Sequence, residues 1–159
     1  MTDRPRLRVS TFAGAASLPL YAAKERGYFA AAGVDVELVK ARDSTELMAG
    51  LVEGEFEVVH AAPDNFVAWR DRTHADIVAW IGGASGPLVL AGASEIRRVA
   101  DLRGRDIAID APQSGFVSVL RRILRDAGLD PTDVGLVPVG ATDLRLEALR
   151  SGRVVATLL

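Results

Sequence analysis

Short apolar runs alternate with helical patterns along the first half of the chain. Alternating residues at 7–12 predict a first strand, and the valine–acid alternation at 34–39 predicts a second. Pro19 suits the first turn of a helix between them, one face of which contains Leu18, Tyr21, Ala22 and Glu25. Ser44 is placed to cap a helix at 44–52, and further elements are predicted at 56–61, 63–69 and 77–81. Four βα repeats in succession favour a parallel, doubly wound sheet.

A glycine-rich segment divides the chain. Residues 82–93, GGASGPLVLAGA, combine four glycines with a short apolar strand at 88–90, which predicts a hinge or crossover. Beyond it, strands are predicted at 107–109, 134–139 and 154–159, and helices at 114–127 and 142–150. We therefore expect a first α/β lobe over 1–84, a hinge over 85–91 and a second α/β lobe over 92–159. Because the last strand reaches the end of the sequence, we expect the second lobe to be incomplete.

The composition is that of a globular protein, since the 159 residues are 49% hydrophobic and 25% charged. No apolar run approaches the roughly 18 residues of a membrane span, so we predict no membrane insertion. The sequence begins without the apolar region of a secretory signal peptide, which fits either an unexported protein or a signal replaced by an initiator Met. The absence of cysteine excludes disulfides and thiolate chemistry, and the formal net charge of −2 offers no general attraction to nucleic acid.

Motifs for catalysis and cofactor binding are missing from the sequence. There is no GxxxxGK[ST] phosphate loop, no GxGxxG fingerprint and no HExxH pair. The segment GASGP at 83–87 misses the GxSxG pattern because its last position is proline. His60 and His74 are too few for a usual zinc site. We therefore predict no catalytic residue, no metal and no cofactor, and we expect Trp69 and Trp80 to be core residues.

The sequence resembles a family of binding proteins in six ordered segments, which are LRVSTF, LPLYAAKERGYFAAAGVDVELV, LVEGEFEVVHAAP, VADLRGRDIAID, ILRDAGLD and ALRSGRVVATLL. This family is the NMT1/THI5-like group, the substrate-binding proteins of sulfonate, nitrate and thiamine-precursor importers. The resemblance covers the whole chain and corresponds to the amino-terminal half of these proteins. It implies the type II periplasmic-binding fold, in which two α/β lobes joined by a hinge close on a ligand. Glu57, where the family usually carries aspartate, and Val155 depart from the family pattern.

Candidate binding residues lie where predicted strands end and helices begin. Ligands of open α/β sheets bind beyond the carboxyl ends of strands, where helix amino termini offer free N–H groups. Each candidate has an alternative, because Phe12 also suits the core and Asp64 or Ser114 could simply cap a helix. The resemblance favours a binding role for Phe12 and for the Ser114–Gly115 pair. The predicted ligand-binding residues are Thr11, Phe12, Leu18, Pro19, Asp64, Asn65, Gly83, Ala84, Ser114 and Gly115.

The leading hypothesis is a non-enzymatic solute-binding protein of an ABC-type importer. The resemblance implies that it captures a small anion or heteroaromatic compound, of sulfonate, nitrate, aromatic acid or pyrimidine type, in a cleft between the lobes, and that a permease reads the closed form. The alternatives are a cytoplasmic protein similar to thiamine-pyrimidine biosynthetic enzymes and a cytoplasmic ligand sensor. The resemblance implies a periplasmic or extracellular location, whereas the missing signal leaves a cytoplasmic one open. We also expect self-association, because a half-length chain exposes a sheet edge and an apolar face.

Overall fold

The computed structural model describes residues 4–82 and 88–159. The chain divides into two compact units, Met1–Ala84 and Ser85–Leu159. Part of the predicted hinge, 85–87, lies outside the described residues, and so do two predicted ligand-binding residues, Gly83 and Ala84. The rest of the predicted hinge leads into a strand of the second unit.

The first unit contains a parallel three-stranded sheet with helices between its strands. Its elements are β1 (Arg6–Thr11), α1 (Leu18–Glu25), α2 (Tyr28–Ala31), β2 (Asp35–Lys40), α3 (Ser44–Val52), β3 (Val58–His60) and α4 (Pro63–Thr73). The strand order is β2-β1-β3. Thr11 pairs with Lys40 on one side and with His60 on the other, so the carboxyl ends of the three strands meet at one edge of the sheet.

The core of the first unit lies mainly beneath α3. Leu47 and Met48 of this helix are buried, and Trp69 of α4 packs against the same cluster, as predicted. The cap of this helix lies one residue before the predicted one, because the Asp43 carboxylate accepts a hydrogen bond of 2.8 Å from the Glu46 backbone N–H. Asp43 is therefore the cap, and Ser44 is the first helical residue.

Two expectations for the first unit are wrong. Residues 77–81 do not form the predicted fourth strand, and of these only Ile77 reaches the core. Trp80, which we expected to be a core residue, is 72% exposed. An apolar run becomes a buried strand only where a neighbouring strand and a covering layer receive it, and the described part of the first sheet ends at β3. The face of α1 that contains Leu18 and Tyr21 points to solvent, since Leu18 is 63% exposed and Tyr21 is also exposed.

The second unit contains a mixed four-stranded sheet. Its elements are β4 (Leu90–Gly92), β5 (Asp106–Ile109), α5 (Gly115–Asp126), β6 (Gly135–Pro138), α6 (Thr142–Arg150) and β7 (Ala156–Leu158). The strand order is β4-β7-β5-β6, in which β5 runs parallel to β6 and β7, whereas β4 is antiparallel to β7. The strand predicted at 88–90 thus lies two residues later. The core packs the apolar face of α5, with Val117, Leu120 and Leu124, against β5.

The observed α/β architecture confirms the predicted fold class. The carboxyl ends of β1, β2 and β3 form one candidate binding edge in the first unit, and those of β5, β6 and β7 form another in the second. No helix in the described ranges combines the length and the apolar character needed to cross a bilayer.

Candidate functional site

At the strand ends of the first unit, Thr11 and His60 share a hydrogen bond. Thr11 is fully buried at the end of β1, and its Oγ1 lies 3.2 Å from Nδ1 of His60 at the end of β3. The two residues are register partners on adjacent parallel strands, so their side chains leave the same face of the sheet. The structure therefore fixes the predicted site residue Thr11 against a histidine that sequence analysis did not assign to the site.

The segment that leads into α1 offers less to a ligand than predicted. Phe12 is partly buried and packs against the core cluster, which is the structural alternative to ligand stacking. The N–H of Leu18 already donates to the carbonyl oxygen of Ala15, within a short 3-10 helix that precedes α1. Leu18 and Pro19 are both exposed. These residues are placed near the strand ends, but their polar backbone groups are partly in use.

The start of α4 carries polar groups that have no partner in the described part of the chain. The capping position is occupied by Ala62, so Asp64 lies inside the first turn and is not the cap. Oδ2 of Asp64 is buried without a hydrogen bond. Asn65 is 7% exposed, and none of the hydrogen bonds among the described residues involves its side chain. The amino terminus of α4 therefore presents a carboxylate and an amide at the carboxyl end of β3.

A third polar group in the first unit is also unsatisfied. Ser10 is fully buried in β1, and its Oγ has no hydrogen-bond partner among the described residues. A buried hydroxyl without a hydrogen-bond partner costs free energy of folding, which makes Ser10 a further candidate for the site. We did not predict Ser10, because the alternation of residues in this strand does not show that its hydroxyl lacks a partner.

In the second unit, the site forms around the start of α5. Ser114 is the N-cap residue, as predicted, but its hydroxyl makes no capping hydrogen bond. The residue is only 4% exposed and its Oγ has no partner among the described residues. Gly115 follows as the first helical residue, so backbone N–H groups at the helix start lie next to a free hydroxyl. Capping therefore does not explain Ser114.

Arg145 braces the strand ends of the second unit and was not predicted. It is 2% exposed, and its Nη1 donates to the Gly140 carbonyl oxygen at 2.6 Å. Its Nη2 donates to the Leu158 carbonyl oxygen at 3.2 Å and to Oγ1 of Thr142 at 3.3 Å. One guanidinium thus joins the loop after β6, the last residue of β7 and the first turn of α6.

The surroundings of Arg145 set its electrostatics. Burial lowers the pKa of its guanidinium from the ordinary value, and the charges of Asp110 and Asp143 oppose this shift. The guanidinium carbon lies 5.9 Å from the centroid of the Phe116 ring in the first turn of α5. Asp110, Phe116, Arg145 and Leu158 line a small cavity. No sequence pattern singled out Arg145, because its burial depends on acceptors that other parts of the chain supply.

The described residues include no group of three or more His, Asp or Glu side chains that could hold a metal ion. The strand ends of the first unit carry hydroxyls, an amide, a carboxylate and an imidazole, and those of the second unit carry a hydroxyl and a guanidinium. Such groups can bind and orient a small polar ligand by hydrogen bonds and charge.

Comparisons with known proteins agree with this geometry. A family model described as NMT1/THI5 like matches residues 15–159. A solved structure from Bordetella bronchiseptica RB50 has a TM-score of 0.81 at 24% identity, and the match covers 98% of this chain and 51% of that one. No curated protein matches the sequence significantly.

Two further structures are named as binding proteins. The alkanesulfonate-binding protein SsuA from Xanthomonas axonopodis pv. citri, bound to MOPS, matches with a TM-score of 0.71 and 20% identity over 100% of this chain and 55% of its own. The periplasmic nitrate-binding protein NrtA from Synechocystis PCC 6803 matches with a TM-score of 0.71 and 15% identity over 99% of this chain and 47% of its own. The chain therefore has the fold of periplasmic binding proteins and spans about half their length.

Proposed function

Because the chain belongs to the NMT1/THI5-like family, as its motifs predicted, we propose that it is the solute-binding component of an ABC-type importer and captures a small anion. The structural neighbours named as sulfonate- and nitrate-binding proteins support this proposal over an enzymatic one. A periplasmic or extracellular location, a partner permease and ligand capture between the two lobes belong to the same proposal. These three points rest on the resemblance.

The observation that carries the proposal is the start of α5. Ser114 offers an unused, buried hydroxyl there, and the 12-residue helix concentrates partial positive charge on its first N–H groups. The buried guanidinium of Arg145 lies close to Phe116 in the same turn, and the carboxylates of Asp110 and Asp143 partly offset its charge. The unused hydroxyl and the N–H groups at the helix start together favour an oxyanion, whether a sulfonate, a nitrate or a phosphonate.

The aromatic-ligand alternative has less support. Phe12, which we expected to contact the ligand, is the candidate residue that could stack on a ring, and it packs against the core of the first unit. A ring without an anionic group would also leave the hydroxyl of Ser114 and the start of α5 without an acceptor. The anion is therefore the ligand class that we propose.

Calorimetry on the full-length protein tests the proposal with methanesulfonate, nitrate and methylphosphonate. Dimethyl sulfone serves as a neutral analogue of methanesulfonate with nearly the same shape. We expect at least one anion to bind and the sulfone not to bind. If no anion binds at millimolar concentration, or if the sulfone binds as tightly as methanesulfonate, the proposal is wrong.

A matched pair of serine variants sharpens this test. Ser114→Ala removes the unused hydroxyl, and we expect it to weaken binding of the anion roughly tenfold, as expected for a hydrogen bond to a charged group. Ser118→Ala removes an exposed hydroxyl from the same helix and should leave the affinity unchanged. Equal affinities of the two variants would remove Ser114 from the site.

A further inference from the structure

We infer that the first unit binds a hydrogen-bond donor of the ligand, so that the transported compound carries an ammonium or hydroxyl group in addition to its anionic group. The inference rests on the proposed function and narrows its substrate class. It is carried by the polar groups that the start of α4 holds without partners, Asp64 and Asn65.

Asp64 supplies an acceptor that the described residues do not satisfy. Oδ2 of its carboxylate is buried without a hydrogen bond, and none of the ion pairs among the described residues involves this side chain. An unpaired buried acceptor of this kind is costly, and a charged one more so. Because an ionised carboxylate can only accept hydrogen bonds, the group that completes it has to be a donor.

Asn65 gives an independent indication at the next position. Its side chain is more than nine-tenths buried, yet it makes no hydrogen bond to a described residue. The amide can accept through Oδ1 and donate through Nδ2, so it can bind the same ligand group as Asp64 or a neighbouring polar atom. Asp64 and Asn65 thus both have hydrogen-bonding groups without partners, and both follow the carboxyl end of β3. Together they indicate a binding site more strongly than a helix start alone.

The polar side chains near Asp64 and Asn65 donate no described hydrogen bond to them. Thr11 and His60 are engaged with each other through Oγ1 and Nδ1, at 3.2 Å. Arg70 lies on the same helix as Asp64, but its Nη1 donates to the Ile77 carbonyl oxygen at 3.3 Å. A ligand donor is therefore the group that we assign to Asp64. Nitrate, which has no donor, fits these acceptors less well than an aminoalkyl or hydroxyalkyl sulfonate.

Three sulfonates of similar size test the inference on the full-length protein. They are 2-aminoethanesulfonate, 2-hydroxyethanesulfonate and propane-1-sulfonate, which carry an ammonium, a hydroxyl and a methyl group at the same position. We expect calorimetry to show that the ammonium compound binds at least about tenfold more tightly than the methyl compound, because hydrogen bonds to charged groups have that strength. The hydroxyl compound should lie between them.

The variant Asp64→Asn keeps the shape of the side chain and removes its charge. We expect it to abolish most of the preference for the ammonium over the methyl compound, and to change the affinity for the methyl compound little. Asp71→Asn, an exposed position on the same helix, is the matched control and should keep the preference. Without ligand, the melting temperature of Asp64→Asn should equal or exceed that of the unaltered protein, because an unsatisfied charge is gone.

The outcomes distinguish failure of the proposed function from failure of the inference about Asp64. If none of the three sulfonates binds, the proposed function fails for sulfonates and the inference fails with it. If all three bind equally, or if Asp64→Asn keeps the ammonium preference, the inference alone is wrong. A lower melting temperature for Asp64→Asn together with unchanged preferences would show that Asp64 only stabilises the start of α4.

Discussion

The first unit ends its central strands in acceptors without partners, and the second ends them in an unused hydroxyl beside a buried arginine and its neighbouring carboxylates. In the first, α4 begins after β3 with Asp64 and Asn65, neither of which has a side-chain partner among the described residues. In the second, α5 begins after β5 with the unused hydroxyl of Ser114, and a buried Arg145 contributes a cation. The same strand-to-helix geometry therefore carries different polar groups in the two units.

The two units also differ in how firmly their strand ends are held. In the second unit one guanidinium bonds to Gly140, Thr142 and Leu158, which belong to three consecutive parts of the unit. In the first, the strand ends of β1 and β3 are joined by the shared hydrogen bond of Thr11 and His60. In the second unit, Arg145 thus both carries a charge and holds the strand ends together.

The largest expected effect follows from removing that side chain. Arg145→Met leaves the carbonyl groups of Gly140 and Leu158 buried without a donor, so we expect the free energy of unfolding of the second unit to fall by about 3 kcal/mol. Hydrogen exchange should show faster exchange in α6 and β7, with β1 to β3 unchanged. Chemical denaturation gives the change in free energy.

Two further variants sharpen that result. Arg145→Lys keeps a charge but reaches fewer acceptors, so it should recover only part of the lost stability. Arg121→Met removes an exposed arginine from α5 and should change stability by less than about 0.5 kcal/mol. If Arg145→Met and Arg121→Met have the same free energy of unfolding, Arg145 does not brace the second unit.

Much of this architecture could be predicted from the sequence, because helix ends and strand alternation are local signals. The glycine-terminated helices and the strands at β1, β2, β5 and β6 follow from such patterns. Ser44 was misplaced as a cap by one position, because Asp43 offers the same capping chemistry at the preceding residue. Local sequence patterns therefore predict the type of a capping residue more reliably than its exact position.

The errors arise where burial depends on partners that are distant in sequence. The apolar run at 77–81 has the composition of a central strand, yet Trp80 lies exposed because no described strand pairs with it. Arg145 is recognisable as important only when the carbonyl groups of Gly140 and Leu158 are seen beside it. The unused groups of Ser10 and Ser114 are likewise visible only once every neighbour has been placed.

We expect an effect of intermediate size when the exposed apolar run of the first unit is altered. Val78, Trp80 and Ile81 are all more than 70% exposed and lie close together in sequence, so they expose a patch that favours association. We expect Trp80→Ser to reduce concentration-dependent association of the 159-residue chain several-fold, as measured by light scattering, while changing stability by less than about 0.5 kcal/mol.

An isolated apolar residue of the second unit provides the control. Leu144 is also exposed, but it lies alone on α6, so Leu144→Ser should leave association unchanged. If Trp80→Ser and Leu144→Ser have the same effect, the patch is not what drives association. A monomer at all concentrations in the unaltered chain would contradict the prediction of self-association itself.

The smallest expected effect concerns a surface turn of the second unit. Asp101 accepts hydrogen bonds from the backbone N–H groups of Arg97 and Arg98 and from the Arg98 guanidinium, and these lower the pKa of its carboxyl, with the Arg97 bond as the largest cause. Since the folded pKa lies below the unfolded value near 3.8, this stabilisation is present above that value and is lost as the pH falls through the folded pKa. Asp101→Asn should therefore lower the melting temperature slightly at neutral pH, and the difference should shrink in acid. A difference that is the same at both pH values would show that the charge of Asp101 does not hold this turn, which positions the buried Leu102.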